Sequence, residues 1–100
     1  MDHGEVLSDP TAYLTYARNA DCSDAQQFQR LVRDGMAIAG CESKVLAREF
    51  GTSLPTVARW KQGVTAPARF LRPKIVAFLV QLVERRLAQT TDGDRTPPKA

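Results

Sequence analysis

The stretch G-T-S-L-P-T-V-A-R-W-K-Q-G, Gly51 to Gly63, decides how the rest of the chain is read. Ser53 can accept a hydrogen bond from a free backbone N–H of a following first turn, which is the work of an N-cap. Pro55 fits that first turn, because the N–H it lacks would have no partner there. Gly63 is a natural stop. The stretch therefore predicts a helix over 54–62. Val57 and Trp60 are three apart and share one face of it, so they are read as core. The opposite face then presents Pro55, Ala58, Arg59 and Gln62, with Leu54 near the tip.

Immediately before it, residues 43–50 read as a second short helix with Val45, Leu46 and Phe50 apolar and Ala47 small where helices approach. Gly51 ends it. Two short helices joined by a brief turn containing glycine make a helix-turn-helix, whose second helix enters the major groove of DNA. Leu46, Phe50, Val57 and Trp60 would point to a common core. On the outer face Arg59 is the side chain able to bind guanine O6 and N7 with two hydrogen bonds. Leu54, Pro55 and Ala58 suit contact with a thymine methyl. The plainer alternative is that Arg59 touches only a phosphate.

Working outward, Ser8-Asp9-Pro10 reads as a helix start, with Tyr13, Leu14 and Ala17 on one face and an end near Asn19. Ser23 and Gln26 fit a capping box. Phe28, Leu31, Val32 and Ile38 follow at helical spacing up to a stop at Gly40. After Gly63 comes a loop, Val64-Thr65-Ala66-Pro67. A short helix is read over Pro67 to Arg72, and a longer one from Pro73 to about Gln89. Residues Thr90 to Ala100 are rich in Thr, Asp, Gly and Pro and are expected to be disordered. The fold class is all-α, a compact bundle of five or six helices. The organisation is an N-terminal extension with a short helix (1–22), a DNA-binding unit (23–72), a C-terminal helix (73–89) and a tail (90–100).

The last helix carries six consecutive apolar residues, Ile75 to Val80, then Leu82, Val83 and Leu87. A surface helix needs only an apolar stripe. One use for the surplus is subunit pairing, through Ile75, Phe78, Leu79, Leu82 and Val83. The other is that the N-terminal helix covers it within the same chain, through Tyr13 and Leu14.

The chain of 100 residues has a net charge of +3, spread unevenly: −3 over residues 1–41, +5 over 42–74 and +1 over the rest. A basic middle suits a polyanionic partner, though a solvated basic face would look the same. Cys22 and Cys41 lack a CxxC spacing and His3 is the one histidine, so neither a Cys/His metal site nor a cofactor is expected. Both thiols are expected reduced, in the cytoplasm. The first residues show no apolar run with basic flanks, and the longest apolar run is far short of a membrane span. With no phosphate loop and no nucleophile–base pair, an enzyme is not expected.

The run S-K-V-L-A-R-E-F-G-T-S-L-P-T-V-A-R-W-K-Q-G, residues 43–63, resembles the Cro/phage-repressor (Xre-type) helix-turn-helix family. Leu46-Ala47, Gly51, Ser53, Thr56-Val57, Arg59-Trp60 and Gly63 carry the likeness, and T-A-P-A-R-F-L (65–71) is similar to that family's loop after the recognition helix. It covers about residues 24–80. The resemblance implies a lambda-repressor-like bundle, base reading by Ser53, Leu54, Pro55, Ala58 and Arg59, and phosphate contacts from Ser43, Thr56 and Lys61. Lys44 and Arg69 are assigned to phosphate as well, and Arg72 and Lys74 lie close by. Thr52 departs from the usual aliphatic residue, and Val64-Thr65-Ala66 lacks the usual bases. The function expected is a DNA-binding transcriptional regulator of phage or bacterial type, a homodimer on double-stranded DNA, with RNA polymerase or another regulatory protein as a further partner. The competing expectation is an antitoxin-like interaction module whose N-terminal segment folds on a protein partner.

Overall fold

The computed structural model describes residues 9–94, and side chains over residues 9–89. Five helices follow in order: α1 Pro10–Asn19, α2 Ala25–Ala39, α3 Ser43–Glu49, α4 Leu54–Gln62 and α5 Arg72–Asp94. No strand occurs among the described residues. The all-helical class and compact packing agree with the sequence pattern.

Local chemistry sets the helix starts. Asp9 caps α1 by accepting from the Ala12 N–H at 3.2 Å, with Pro10 behind it in the first turn. At α2 the cap falls one residue later than the Ser23–Gln26 box requires. Asp24 accepts from the Gln27 N–H at 3.0 Å, while the Ser23 hydroxyl donates to Asp21 Oδ1 at 2.6 Å. A carboxylate at position 24 is the stronger acceptor for a helix N-terminus, and Asp21 takes the serine that would have competed. Ser53 caps α4 as expected, accepting from the Thr56 N–H at 3.2 Å. Gly63 closes it with φ 80°, a conformation that glycine adopts without steric cost.

The core is organised around α2 and α5. Phe28, Val32 and Met36 of α2 pack with Leu46 and Ala47 of α3, Val57 and Trp60 of α4, and Ile75 and Leu79 of α5. A smaller cluster joins Tyr13 of α1, Leu31 of α2 and Val83 of α5. The close approach of α1 to α2 depends on Gly35, because a Cβ there would lie 2.8 Å from Tyr13 Cζ and nearer still to its hydroxyl. Tyr13 donates its hydroxyl to the Leu31 carbonyl at 2.7 Å. Burial pushes its pKa well above the ordinary tyrosine range, and the Asp34 charge adds to the shift. Asp34, fully buried, is met by Arg33 Nε at 2.8 Å and by Arg30 Nε at 3.5 Å, and the Arg30 guanidinium lies over the Tyr16 ring.

Three sequence expectations need correction. Ile75, Leu79 and Val83, assigned to subunit pairing, are 0% exposed inside the chain's own core. They recur every four residues, forming the stripe that α5 turns toward α2, with Tyr13 of α1 closing the Val83 end. Phe78 and Leu82 are half-buried, and Phe78 meets Phe50 edge-on with centroids 5.6 Å apart. The apolar surplus of the last helix is thus largely used within one chain, as the alternative reading had it. Second, residues 67–72 form no separate helix. They make a turn, with Leu71 N–H donating to the Ala68 carbonyl at 2.9 Å, which runs directly into α5. Third, α5 continues through residues 90–94, where a disordered tail was expected. Propagating a formed helix costs little, and the next proline is not met until Pro97. Residues 95–100 lie outside the described part, as do residues 1–8.

Candidate nucleic-acid interface

The pair α3 and α4 is joined by Phe50, Gly51, Thr52 and Ser53, with Gly51 at φ 63°. Gly51 N–H donates to the Arg48 carbonyl and Thr52 N–H to the Ala47 carbonyl, which engages two carbonyls of the last turn of α3. Thr52 is half-buried and does not prevent this turn from closing.

On α4, Val57 and Trp60 are buried and fix the rotation of the helix. At about 100° per residue this turns Pro55 and Gln62 directly outward, with Arg59 to one side of them and Ala58 and then Leu54 to the other. Ser53, Leu54, Pro55 and Arg59 are exposed, Leu54 being 51% exposed, and Ala58 is half-buried. The five expected base-reading positions therefore lie together on one accessible face. Ser53 differs from the rest, because its oxygen is already engaged with Thr56 N–H and lies 2.9 Å from Thr56 Oγ1. Its first role is the cap.

The expected phosphate-contacting residues sit in different surroundings. Ser43 is half-buried at the start of α3, and Lys44 beside it is exposed with Glu42 at 3.5 Å, a pair that water screens. Thr56 is half-buried against Ser53. Lys61 is half-buried on the flank toward the α2–α3 connection. Its charge is felt by the Cys41 thiol, which burial, and then Glu42, push up in pKa while Lys61 opposes. Arg69 sits at the far end of the loop, where its positive charge acts on Asp21.

Two side chains hold α4 and the loop after it in place, Gln29 the helix and Arg72 the loop. Gln29 of α2 donates from Nε2 to the Lys61 carbonyl at 3.0 Å, and it packs so closely on Gly63 that a Cβ there would meet Gln29 Cδ at 2.8 Å. Arg72 donates from Nε to the Pro67 carbonyl at 2.9 Å and from Nη1 to the Ser23 carbonyl at 2.8 Å, with its guanidinium 5.9 Å from the Phe28 ring centroid. Arg72, one of the bases near the loop, is thus a brace between that loop and the start of α2. These contacts span 32 and 49 residues along the chain. Only the fold could have revealed them.

Among the described residues no helix is long and apolar enough to cross a membrane. No group of three or more His, Cys, Asp or Glu is placed there to hold a metal ion. Comparison with known protein families, with curated proteins and with solved structures returns no match.

Proposed function

We propose that the chain is a sequence-specific DNA-binding transcriptional regulator whose α3–α4 pair is a helix-turn-helix of lambda-repressor-like type, with α4 reading the major groove. One observation carries this: α4 is clamped from behind while the face opposite Val57 and Trp60 stays accessible around Arg59. A helix held by its core side, by Gln29 at its end and by Ser53 at its start presents a rigid reading edge, and rigidity is what base discrimination needs. Arg59 supplies the two-pronged contact to guanine, and Leu54, Pro55 and Ala58 supply the methyl contacts. Lys44 and Arg69 attract phosphate from either end.

Binding as a homodimer on an inverted repeat belongs to the same proposal, because one small module grips DNA weakly. Of the five pairing residues expected, only Phe78 and Leu82 keep any accessible surface for it. The interaction-module alternative drew on an N-terminal segment that folds only on a partner; α1, docked through Tyr13, lends it no support.

The test is selection of binding sites from random duplex DNA, followed by affinities across a salt series. An enriched inverted repeat supports a dimeric reader, and each phosphate contact contributes about −0.9 to the log–log salt slope. Arg59→Ala is expected to cost about 1–3 kcal/mol on the selected site and to relax preference at one base pair. Uniform weakening on all sequences would reduce Arg59 to a phosphate contact. No enrichment from a folded chain would overturn the proposal.

A further inference from the structure

The most exposed large apolar side chain described is Phe70, at 74%, and Val64 in the same loop follows at 65%. Neither exposure comes from a slack loop. The segment is pinned at both ends: Val64 N–H donates to the Arg59 carbonyl at 3.0 Å, closing α4, and Arg72 N–H donates to the Arg69 carbonyl at 3.3 Å. Between them, Arg72 ties Pro67 to the start of α2. Phe70 is therefore held outward by a braced turn, with Leu71 beside it packed against the core. A single exposed apolar side chain is common on a protein surface, but a ring held outward by a braced turn with Arg69 beside it in the chain is placed to make a contact.

Charge indicates what covers it. No acid occurs in the sequence between Glu49 and Glu84, while Arg59, Lys61, Arg69, Arg72 and Lys74 all fall in that interval. Among the described residues, Asp21 is a carboxylate that feels the charge of Arg69. A second copy of the chain seated loop to loop would bring the same cations together, which is unfavourable. A polyanion meets complementary charge, and the loop leaves directly from the end of α4. We infer that the Val64–Phe70 loop is a second DNA-contacting element, in which Phe70 packs as an apolar wedge on the sugars and base edges of the minor groove adjoining the α4 site, flanked by Arg69 and Lys74 on the phosphates. Apolar wedges next to cations are a recognised way of gripping that groove. This rests on the proposed reading of α4.

The experiment measures affinity of the full chain for its selected duplex, across a salt series, for wild type, Phe70→Ala, Phe70→Leu and Arg69→Ala, with sedimentation of each protein without DNA. Phe70 is exposed, so its substitution leaves the fold intact. Phe70→Ala is expected to bind about tenfold more weakly with an unchanged salt slope, because an apolar contact releases no counterions. Phe70→Leu should recover part of the loss, and Arg69→Ala should lower the slope by about 0.9. Wild-type affinity in Phe70→Ala would overturn this inference while leaving the α4 reading in place. So would loss of a wild-type dimer on Phe70→Ala in the absence of DNA, which would assign the ring to a second copy. Failure of the wild-type chain to select any duplex would overturn both.

Discussion

Helices α4 and α5 pose opposite problems. The nine residues of α4 carry two core side chains, and everything around them faces outward or sideways. The 23 residues of α5 open on a run that is apolar on every side, yet its inward stripe Ile75, Leu79 and Val83 is wholly buried and the exposed positions Ala77, Gln81, Glu84 and Ala88 are small or polar. The first is a presented helix and the second is a scaffold. An excess of apolar residues on a long helix measures how many neighbours it has, and α2, α3 and α1 supply them before any second subunit is needed.

The sharpest way to break that comparison is Leu79→Ala. If α5 is scaffold, emptying this site costs about 2–5 kcal/mol of folding stability, read as a lower urea midpoint at constant slope. The association state of the folded fraction should stay as in wild type. A folded but dissociated variant of unchanged stability would return Leu79 to the subunit interface and make α5 the presented helix after all.

A smaller effect separates the two helices from the other side. Ser53→Ala removes the cap of α4, and is expected to lower stability by about 1 kcal/mol in urea unfolding. Because the first turn of α4 carries Leu54 and Pro55, DNA affinity should fall alongside. Lost affinity at full stability would mean that the Ser53 hydroxyl reads a base directly and that the cap matters little.

How much was legible follows from the range of the interactions. The starts of α1 and α4 were readable because a cap and its N–H lie within three residues of each other, as Asp9 with Ala12 and Ser53 with Thr56 do, whereas α3 starts with no side-chain cap. The shift of the α2 cap to Asp24 was not, since Asp21 could claim Ser23 only once the turn had formed. Val57 and Trp60 identified the inner face of α4, and Arg59 followed from them by rotation. What covers α5 stayed open between subunit pairing and Tyr13 with Leu14, because Tyr13 and Val83 come together only in the fold. The same holds for Arg72, whose brace to Ser23 makes a structural residue of one that composition counts as a surface base.

The smallest expected effect lies where the two regions join. Asp21 stands between α1 and α2 and its pKa is lowered, first by hydrogen bonds from the Ser23 hydroxyl and N–H, then by the positive charge of Arg69 in the loop beyond α4. A carboxyl with a depressed folded-state pKa adds stability that is present above its unfolded value of about 3.9 and is lost as pH falls through the folded one. Asp21 is fully exposed, so water screens most of the charge contribution and the local hydrogen bonds carry the rest. Asp21→Asn should therefore leave stability near neutrality only slightly lower, and should make the decline on acidification below about pH 4 slightly shallower. Repeating the acid titration in Arg69→Ala isolates the loop's share. If the loop is braced as Arg72 implies, Arg69 stays near Asp21 and its removal raises the Asp21 pKa detectably by NMR titration. An unmoved pKa would mean that the loop swings free of the α1–α2 junction, and the contrast between a presented α4 and a rigid scaffold would then stop at Gly63.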